Sequence, residues 1–267
     1  MMKIGFIGLG NMGGSLARLV AQDERFRSEL LLANRSRDKA EKIAAEVGGQ
    51  PVSNAEVFAQ AEVIFLGIKP AQFADLLAEY QEILEKRESL LLVSMAAGLP
   101  LEKLEKMIPS HHRWIRIMPN TPVAVGEGVI TYALSQQANQ VDEDLLRELL
   151  SSAGLLVKLE EKQLDAATAL AGCGPAFVYL FIEALADAGV RAGLSRDISL
   201  ELANQTLLGA AKLGQVSAQH PAQLKDQVCS PAGSTIAGVA SLEENAFRGT
   251  VMAAVQAAYK RTQELGK

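Results

Sequence analysis

The sequence predicts an α/β protein of two domains. An N-terminal domain with a mostly parallel, doubly wound sheet is expected over residues 1–160, and an all-helical domain over residues 161–267. Three observations support this prediction. Short aliphatic runs alternate with helical patterns in the first half, alanine and leucine dominate the second half, and 267 residues exceed a typical single domain. Hydrophobic residues form 49% of the chain and charged residues 21%, which is typical of a folded protein.

The apolar runs of the first domain are interpreted as strands. Strands that are buried on both faces appear as nearly continuous Val, Ile and Leu runs. Such runs occupy residues 3–9, 30–33, 63–66, 90–93, 114–118 and 129–133. Helical patterns lie between some of them, at residues 12–22, 38–47, 72–84 and 101–106. This alternation implies right-handed crossovers between parallel strands.

The second domain is expected to be nearly all helix, because alanine and leucine are the best helix formers. Long 3.6-residue patterns cover residues 177–188, 198–213 and 246–264, and helices are predicted to stop at Gly189, Gly193 and Gly214. Alanine-rich helices bury little area each, so about a hundred such residues form a marginal core. We therefore expect homo-oligomerisation through this domain. A self-sufficient bundle packed on the first domain is the alternative.

Charge and residue usage exclude several classes of function. Thirty-one acidic against 26 basic residues leave a net charge of −5, which argues against nucleic-acid and membrane-surface binding. We expect that no apolar run reaches the roughly 18 to 20 residues that a membrane span needs. Cys173 and Cys229 are expected to be free thiols in a cytoplasmic protein. His111 and His112 are expected to be a solvated loop pair, and no metal site is predicted.

The N-terminal glycine turn indicates a bound dinucleotide. The residues GLGNMG at positions 8–13 follow a strand and open a helix, the context in which this motif is informative. Gly8 permits the tight turn, Gly10 lets the backbone approach a pyrophosphate, and Gly13 lets helix and strand pack closely. Asn11 and Met12 begin the helix, whose free N–H groups attract phosphate. The prediction is a Rossmann-type domain; a tight turn without a ligand is the alternative.

The end of the second strand predicts which dinucleotide is bound. NAD-selective domains usually place an acidic residue there, whereas this chain has Asn34, Arg35 and Ser36, with no acid before Asp38. An arginine and a hydroxyl favour a 2′-phosphate, which a carboxylate would repel. NADPH is therefore the expected cofactor, with NADH used less efficiently. A solvated basic loop is the alternative interpretation.

Four further segments are unusual. GIKP at 67–70 and MPNTP at 118–122 each end a predicted strand, where α/β folds place ligands. AGCGPAF at 171–177 is a glycine turn into a helix, with proline where a first turn tolerates it. SPAGSTI at 230–236 is a second turn of small residues into a helix. Its successive N–H groups and hydroxyls suit a carboxylate ligand.

Together these motifs resemble the pyrroline-5-carboxylate reductase family. The resemblance runs in order over the whole chain, and LKDQVCSPAGSTIAGVASLE at 224–243 is its most specific part. One departure is Ala232, where many members have glycine, and we expect it to cost little backbone freedom. The resemblance implies a Rossmann-type domain and a helical domain that builds an interleaved homodimer. It also implies, for larger assemblies, a decameric ring of five dimers.

The resemblance also implies an activity and a substrate site. The activity is NAD(P)H-dependent reduction of 1-pyrroline-5-carboxylate to L-proline, the last step of proline biosynthesis. Ser230 and the backbone of Gly233, Ser234 and Thr235 would bind the substrate carboxylate. The Thr235 hydroxyl would contact the ring nitrogen as the catalytic group. Helix capping is the alternative role of Ser230 and Thr235, because serine and threonine are favoured there.

For the cofactor, the resemblance places Lys69, Pro70 and Asn120 at the nicotinamide end.

Two rival functions remain. A 3-hydroxyacid dehydrogenase opens with a similar glycine turn, but its lysine early in the second domain has no counterpart here before Lys212. A nucleotide-binding regulatory protein without turnover is the second rival, and an assay of substrate-dependent NADPH oxidation distinguishes it.

Overall fold

A computed structural model of the chain describes residues 2–265, and in these residues eight strands form one sheet. The strands are β1 (Ile4–Ile7), β2 (Leu30–Ala33), β3 (Gln50–Pro51), β4 (Val63–Leu66), β5 (Leu91–Ser94), β6 (Arg113–Pro119), β7 (Gly128–Leu134) and β8 (Gly154–Lys158). All six predicted strands are present. The short β3 and the edge strand β8 were not predicted, because neither has a buried apolar run.

The strand order is β3-β2-β1-β4-β5-β6-β7-β8. Neighbouring strands are parallel except β6 and β7, which run antiparallel with Ile117 opposite Tyr132. The prediction of a mostly parallel sheet is confirmed. The chain leaves β1 toward β2 and β3 and then returns to place β4 on the other side of β1. In open α/β sheets this reversal is the point at which ligands bind, beyond the carboxyl ends of the strands.

Eight helices of the first half connect these strands. They are α1 (Asn11–Val20), α2 (Glu24–Arg27), α3 (Arg37–Val47), α4 (Asn54–Gln60), α5 (Phe73–Glu79), α6 (Gln81–Lys86), α7 (Leu101–Glu105) and α8 (Gln140–Leu149). The single helix expected at 72–84 is wrong, because the backbone at Tyr80 (φ −110°, ψ 19°) separates α5 from α6. Helices α4 and α8 were missed, although each begins with a capping box, Ser53 with Glu56 and Asn139 with Asp142.

The core lies on both faces of the sheet. On one face, the rings of Phe6 and Phe65 from the adjacent strands β1 and β4 stack with their centroids 4.7 Å apart. On the other face, Trp114 of β6 is fully buried among aliphatic side chains. A fully buried apolar side chain of this size contributes about 1.5 to 3 kcal/mol. Burial on both faces explains why the strands appear as continuous apolar runs.

The second half is helical, as predicted. Its helices are α9 (Leu164–Ala167), α10 (Gly174–Arg191), α11 (Arg196–Val216), α12 (Pro221–Val228), α13 (Ser234–Glu244) and α14 (Phe247–Leu265), with a π-helical turn at Thr168–Gly172. By contacts, the chain forms two compact units. Of the described residues, one unit contains 2–173 and 258–265, and the other is Gly174–Ala257. A functional division at residue 160 stays a prediction.

Only one of the three predicted glycine stops is confirmed. Gly193 follows α10 with φ +102°, a conformation that favours glycine. Gly189 and Gly214 lie inside α10 and α11, so their assignment as stops is wrong. A Cβ on Gly189 would come within 2.7 Å of the Ser199 hydroxyl oxygen. Glycine is therefore present at 189 to allow α10 and α11 to pack closely.

The unit Gly174–Ala257 leaves much apolar surface exposed when it is considered alone. Leu180 on α10 is 67% exposed, and Tyr179 beside it is exposed as well. Within residues 2–265, the helical stretch Glu161–Arg191 contains an 18-residue window that is long and apolar enough to cross a membrane, although little of it is buried. Glu183 and Asp187 interrupt it, but the expectation that no segment of this length is apolar enough is wrong.

Candidate functional site

The glycine turn lies at the reversal of strand order, between the carboxyl ends of β1 and β4. Gly8 has φ +90°, and a Cβ on Gly13 would come within 2.1 Å of the Gly8 carbonyl oxygen. Gly67, which directly follows β4, is equally close: its Cβ would be 2.5 Å from the same oxygen. Gly67 belongs to the GIKP segment noted in the sequence, but no role was predicted for it. A glycine immediately after a buried strand was the available signal for it.

The space above Gly10 is open. A Cβ placed on Gly10 would have no atom within 4 Å, in contrast to Gly8 and Gly13. Gly10 is also the N-cap of α1, and no side chain caps this helix. The first N–H groups of α1 therefore face an accessible surface that a phosphate can approach closely. This geometry fits a dinucleotide pyrophosphate.

Asn34 connects the end of β2 to the glycine turn. Its side-chain oxygen accepts a hydrogen bond from the Leu9 backbone N–H at 2.9 Å, and its amide nitrogen donates to the Ser36 carbonyl at 3.1 Å. Ser36 is the N-cap of α3, and its hydroxyl does not cap the helix. The loop is therefore held by Asn34, while Arg35 and Ser36 are exposed.

Not every cation near this loop is available to a ligand. Arg37 is paired with Glu41 at 2.9 Å, whereas Arg35 has no ion-pair or hydrogen-bond partner among residues 2–265.

A cavity of about 360 Å³ lies beside the loop, between α1 and α3. It is lined by Leu9, Gly10, Asn11, Ser15, Arg18, Lys39, Lys42 and Ile43. This part of the site is basic and adjoins the glycine turn, which suits a phosphorylated ribose.

The two other strand-end segments present different chemistry. Lys69 follows β4 and is exposed, and Pro70 begins the short 3-10 turn after it. Asn120 follows β6 and is buried, and both polar atoms of its side chain are occupied. Its oxygen accepts from the Val129 N–H at 2.8 Å, and its nitrogen donates to the Ala171 carbonyl at 3.0 Å. Both polar atoms of Asn120 thus bind the protein's own backbone, with one of the two amide N–H groups engaged by Ala171.

The small-residue turn before α13 has an unusual backbone. Ala232 has φ +57°, in the left-handed region that favours glycine. The expectation that alanine costs little at this position is therefore wrong, since a left-handed L-residue costs roughly 1 to 2 kcal/mol. A Cβ on Gly233 would lie 2.2 Å from the Ser230 hydroxyl oxygen and 3.1 Å from the Ser230 carbonyl oxygen, so a larger residue would displace the Ser230 side chain. Ser230 thus lies directly over the N-cap of α13.

The N-terminus of α13 is accessible and uncapped. Gly233 is its N-cap, with no side-chain hydrogen bond to the first turn. Ser234 and Thr235 are exposed. The alternative in which Ser230 or Thr235 caps this helix is therefore not observed. The turn presents free N–H groups and hydroxyls together, a set of donors that suits a carboxylate.

The histidine pair lies elsewhere and has a structural role. His112 is 2% exposed; its Nδ1 accepts from the Leu90 N–H at 3.2 Å and its Nε2 lies 3.0 Å from the Leu84 carbonyl. The expectation of a solvated pair is wrong for His112. Burial lowers the pKa of His112 below its usual value. Among residues 2–265, no group of three His, Cys, Asp or Glu side chains could hold a metal ion.

Comparison with known proteins identifies the family. The chain is 44% identical over 264 residues to a pyrroline-5-carboxylate reductase of Pisum sativum. The aligned region covers 98% of this chain and 95% of the pea protein. The chain belongs to the pyrroline-5-carboxylate reductase family. A cyanobacterial reductase from Synechocystis is 40% identical over 270 residues, covering 100% of this chain and 99% of that protein. Family membership decides against the 3-hydroxyacid dehydrogenase alternative.

Two family models and a solved structure agree with this membership. Residues 161–265 match the model described as pyrroline-5-carboxylate reductase dimerisation, and residues 3–98 match an NADP oxidoreductase, coenzyme F420-dependent, model. The crystal structure of a Plasmodium falciparum pyrroline carboxylate reductase with NADP bound is similar, with a TM-score of 0.88 and 37% identity. The match covers 100% of this chain and 98% of that one. The two family models thus match separate parts of the chain.

Proposed function

We propose that this chain reduces 1-pyrroline-5-carboxylate to L-proline with NADPH, the last step of proline biosynthesis. The observation that carries the proposal is the glycine turn, where Gly8 and Gly13 are in close contact and the space above Gly10 is open. Membership of the reductase family supports the same conclusion. NADPH is the preferred cofactor in this proposal, with NADH used at lower efficiency.

The proposed cofactor residues follow the carboxyl ends of three strands. Gly8, Gly10, Asn11, Met12 and Gly13 approach the pyrophosphate. Arg35 and Ser36 bind the 2′-phosphate, and Asn34 holds the loop that carries them. Lys69 and Pro70 lie at the nicotinamide end, and Asn120 contributes there through its position after β6. NADPH, when bound, supplies the hydride; the chain supplies binding, orientation and electrostatics.

The proposed substrate residues surround the N-terminus of α13. The substrate carboxylate is bound by Ser230 and by the N–H groups of Gly233, Ser234 and Thr235. With NADPH bound, hydride addition to the carbon of the protonated imine would return the C=N π electrons to the ring nitrogen as a lone pair. The nitrogen keeps the proton that it carried, and water supplies the second proton of the product ammonium group. The Thr235 hydroxyl donates to that nitrogen as its electron density rises. A cyclic imine that is already protonated brings the proton that its nitrogen needs, so the step requires no strong general acid, which suits a turn without histidine or paired acids.

Assembly is proposed to be a homodimer through the helical domain, with a decameric ring of five dimers as the larger form. The exposed apolar side chains of α10 support this assembly, because a single chain leaves them in water.

We propose a cytoplasmic location, since Cys173 and Cys229 are both free and cytosolic thiols stay reduced. No nucleic-acid or membrane partner is part of the proposal.

A steady-state assay tests the proposed activity. The purified chain is mixed with NADPH and 1-pyrroline-5-carboxylate, and both the loss of NADPH absorbance and the appearance of proline are measured. We expect one proline for each NADPH oxidised, with a slower reaction when NADH replaces NADPH. The controls omit the imine or replace it with proline. NADPH binding without substrate-dependent oxidation would instead support a regulatory nucleotide-binding protein.

A further inference from the structure

The π-helical turn Thr168–Gly172 contains a carbonyl group that the helix cannot satisfy in the usual way. The Cys173 N–H donates to the Thr168 carbonyl at 2.9 Å, five residues back, as expected for a π-helix. The turn ends at Gly172, so the Ala171 carbonyl is among its last and accepts no N–H from within the turn. If the chain continued as an α-helix, this carbonyl would accept from the N–H four residues ahead. That residue is Pro175, which has no N–H. The sequence therefore removes one donor from this turn.

The side chain of Asn120 supplies a donor to this carbonyl. Its amide nitrogen lies 3.0 Å from the Ala171 oxygen, and its amide oxygen accepts from the Val129 N–H at 2.8 Å. The residue is 8% exposed, so water competes little for either atom. Because both ends of the amide are used, the side chain has one orientation. The carboxyl end of β6 is thereby bonded to the turn.

Arg116 attaches the same segment to β6 at a second point. Arg116 and Asn120 are four residues apart along extended backbone, so they lie on one face of the sheet. The Arg116 guanidinium is 3.3 Å from a Glu161 carboxylate oxygen and 3.5 Å from one of Asp165. That Glu161 oxygen also accepts the Leu101 N–H at 2.6 Å. The stretch from Glu161 to Ala171 is thus held at both of its ends.

We propose that Asn120 is a positioning residue for hydride transfer, acting through the turn Thr168–Gly172. This inference rests on the proposed function. Asn120 follows β6 at the edge of the sheet where Gly8 follows β1 and Lys69 lies three residues after β4, the edge proposed for the cofactor. A turn bonded to that edge fixes the backbone next to the nicotinamide end. Displacements of about 1 Å near a reacting pair lower rates by about a hundredfold.

The first test replaces the amide while keeping its shape. Asn120→Asp retains an oxygen that accepts from Val129 but places a second oxygen against the Ala171 carbonyl. We expect kcat to fall by about tenfold to a hundredfold, while the Kd of NADPH, measured by fluorescence titration, changes less than about twofold. If Asn120 instead contacted the cofactor directly, the substitution would raise the NADPH Kd and change kcat little. That result would overturn the inference.

Asn139→Asp is the matched control, because the same chemical change is made at the N-cap of α8. There only the side-chain oxygen is used, accepting from the Val141 and Asp142 N–H groups. Aspartate caps a helix as well as asparagine does. We therefore expect the control to retain wild-type kcat and NADPH Kd. Thermal unfolding of both variants shows whether any loss reflects unfolding.

The second test uses the proline that creates the requirement. Pro175→Ala restores an N–H that can donate to the Ala171 carbonyl, so Asn120 should matter less in that background. In the wild-type background, which has Pro175, we expect Asn120→Ala to lower kcat by about tenfold or more. In the Pro175→Ala background, we expect the same substitution to lower kcat by several-fold less. Equal losses in the two backgrounds would show that the Asn120 amide does not serve the turn.

Hydrogen exchange separates failure of this inference from failure of the proposed function. If wild-type chain oxidises no NADPH with the imine, the proposed reductase activity fails. The exchange rate of the Cys173 amide still tests the attachment, because that N–H closes the π-helical turn. We expect Asn120→Asp to accelerate its exchange by about tenfold or more, and Asn139→Asp to leave it unchanged. Unchanged exchange in Asn120→Asp would refute the attachment itself.

Discussion

The side-chain oxygen of Asn34 accepts a hydrogen bond from the Leu9 backbone N–H at 2.9 Å, so the loop after β2 is tied directly to the glycine turn. One residue thereby aligns the two parts of the chain proposed to hold the pyrophosphate and the 2′-phosphate. The Asn34 nitrogen also donates to the Ser36 carbonyl, so both polar atoms of this side chain bind the protein's own backbone. We therefore assign cofactor selectivity to the exposed neighbours Arg35 and Ser36.

Replacing Arg35 is predicted to change cofactor preference. A charge-assisted hydrogen bond to a phosphate contributes about 1.5 to 3 kcal/mol, so Arg35→Ala should raise the KM of NADPH by about tenfold to a hundredfold. The KM of NADH should change little. Arg37→Ala is the control, since Arg37 is already paired with Glu41. Equal losses with both cofactors would show that Arg35 contacts the shared diphosphate or serves the fold.

Removing the Thr235 hydroxyl is predicted to affect the reaction and not the fold. A donor whose interaction strengthens as charge develops lowers the barrier, so Thr235→Ala should reduce kcat by about tenfold to a thousandfold. Since no side chain caps α13, the melting temperature should stay close to that of the wild type. Thr250→Ala on α14 is the control, because its hydroxyl bonds to the Ala246 carbonyl within the helix. A Thr235→Ala protein with wild-type kcat would exclude the catalytic role.

A charge on the exposed face of α10 is predicted to prevent assembly. The full chain should scatter light as a dimer or a multiple of a dimer. Leu180 is 67% exposed in the single chain, so Leu180→Asp costs little there but is costly at an apolar interface, by roughly several kcal/mol. The variant should therefore scatter as a smaller species. Leu155→Asp on β8 is the control, with a leucine that is 56% exposed. A monomeric wild-type chain at micromolar concentration would contradict the proposed dimer.

Acid is predicted to destabilise the chain through His112. Burial lowers the pKa of His112 below 6.5, so the unfolded chain binds this proton more tightly than the folded chain does. Its contribution to stability is complete above about pH 6.5 and decreases as the pH falls below that value. Urea unfolding between about pH 8 and pH 5 measures this loss.

Two variants assign that pH dependence. His112→Gln should remove the loss of unfolding free energy over this range, because no buried imidazole is left to protonate. His111→Gln should retain it, since His111 is exposed. A His112→Gln protein that loses stability with acid as steeply as the wild type would assign the effect to other groups.

Much of the fold could be predicted from local patterns. The six apolar strands, the glycine turn and the helical second half all depend on residues that are near one another in sequence. Gly8 and Gly13 could be assigned because a turn of six residues contains its own geometric requirement. The resemblance to a reductase family then rested on five such segments, and the comparisons confirmed that membership.

Other features were decided only by the tertiary structure. The bond between Asn120 and Ala171 joins residues 51 apart in sequence, and that between Asn34 and Leu9 joins residues 25 apart. A sequence pattern identifies an amide side chain but does not specify which distant backbone group it meets. The same holds for His112, whose burial depends on the carbonyl of Leu84 and the N–H of Leu90.

The chain's sequence by itself therefore determined six of the eight strands described, the glycine turn and the helical second half, because periodicity and glycine placement act locally. Only the tertiary structure decided the antiparallel pairing of β6 with β7, the left-handed backbone of Ala232 and the partners of the buried amides. The physical reason is that a buried polar group must find a partner wherever the folded backbone places one. That partner is set by how distant segments pack, which no short stretch of sequence contains.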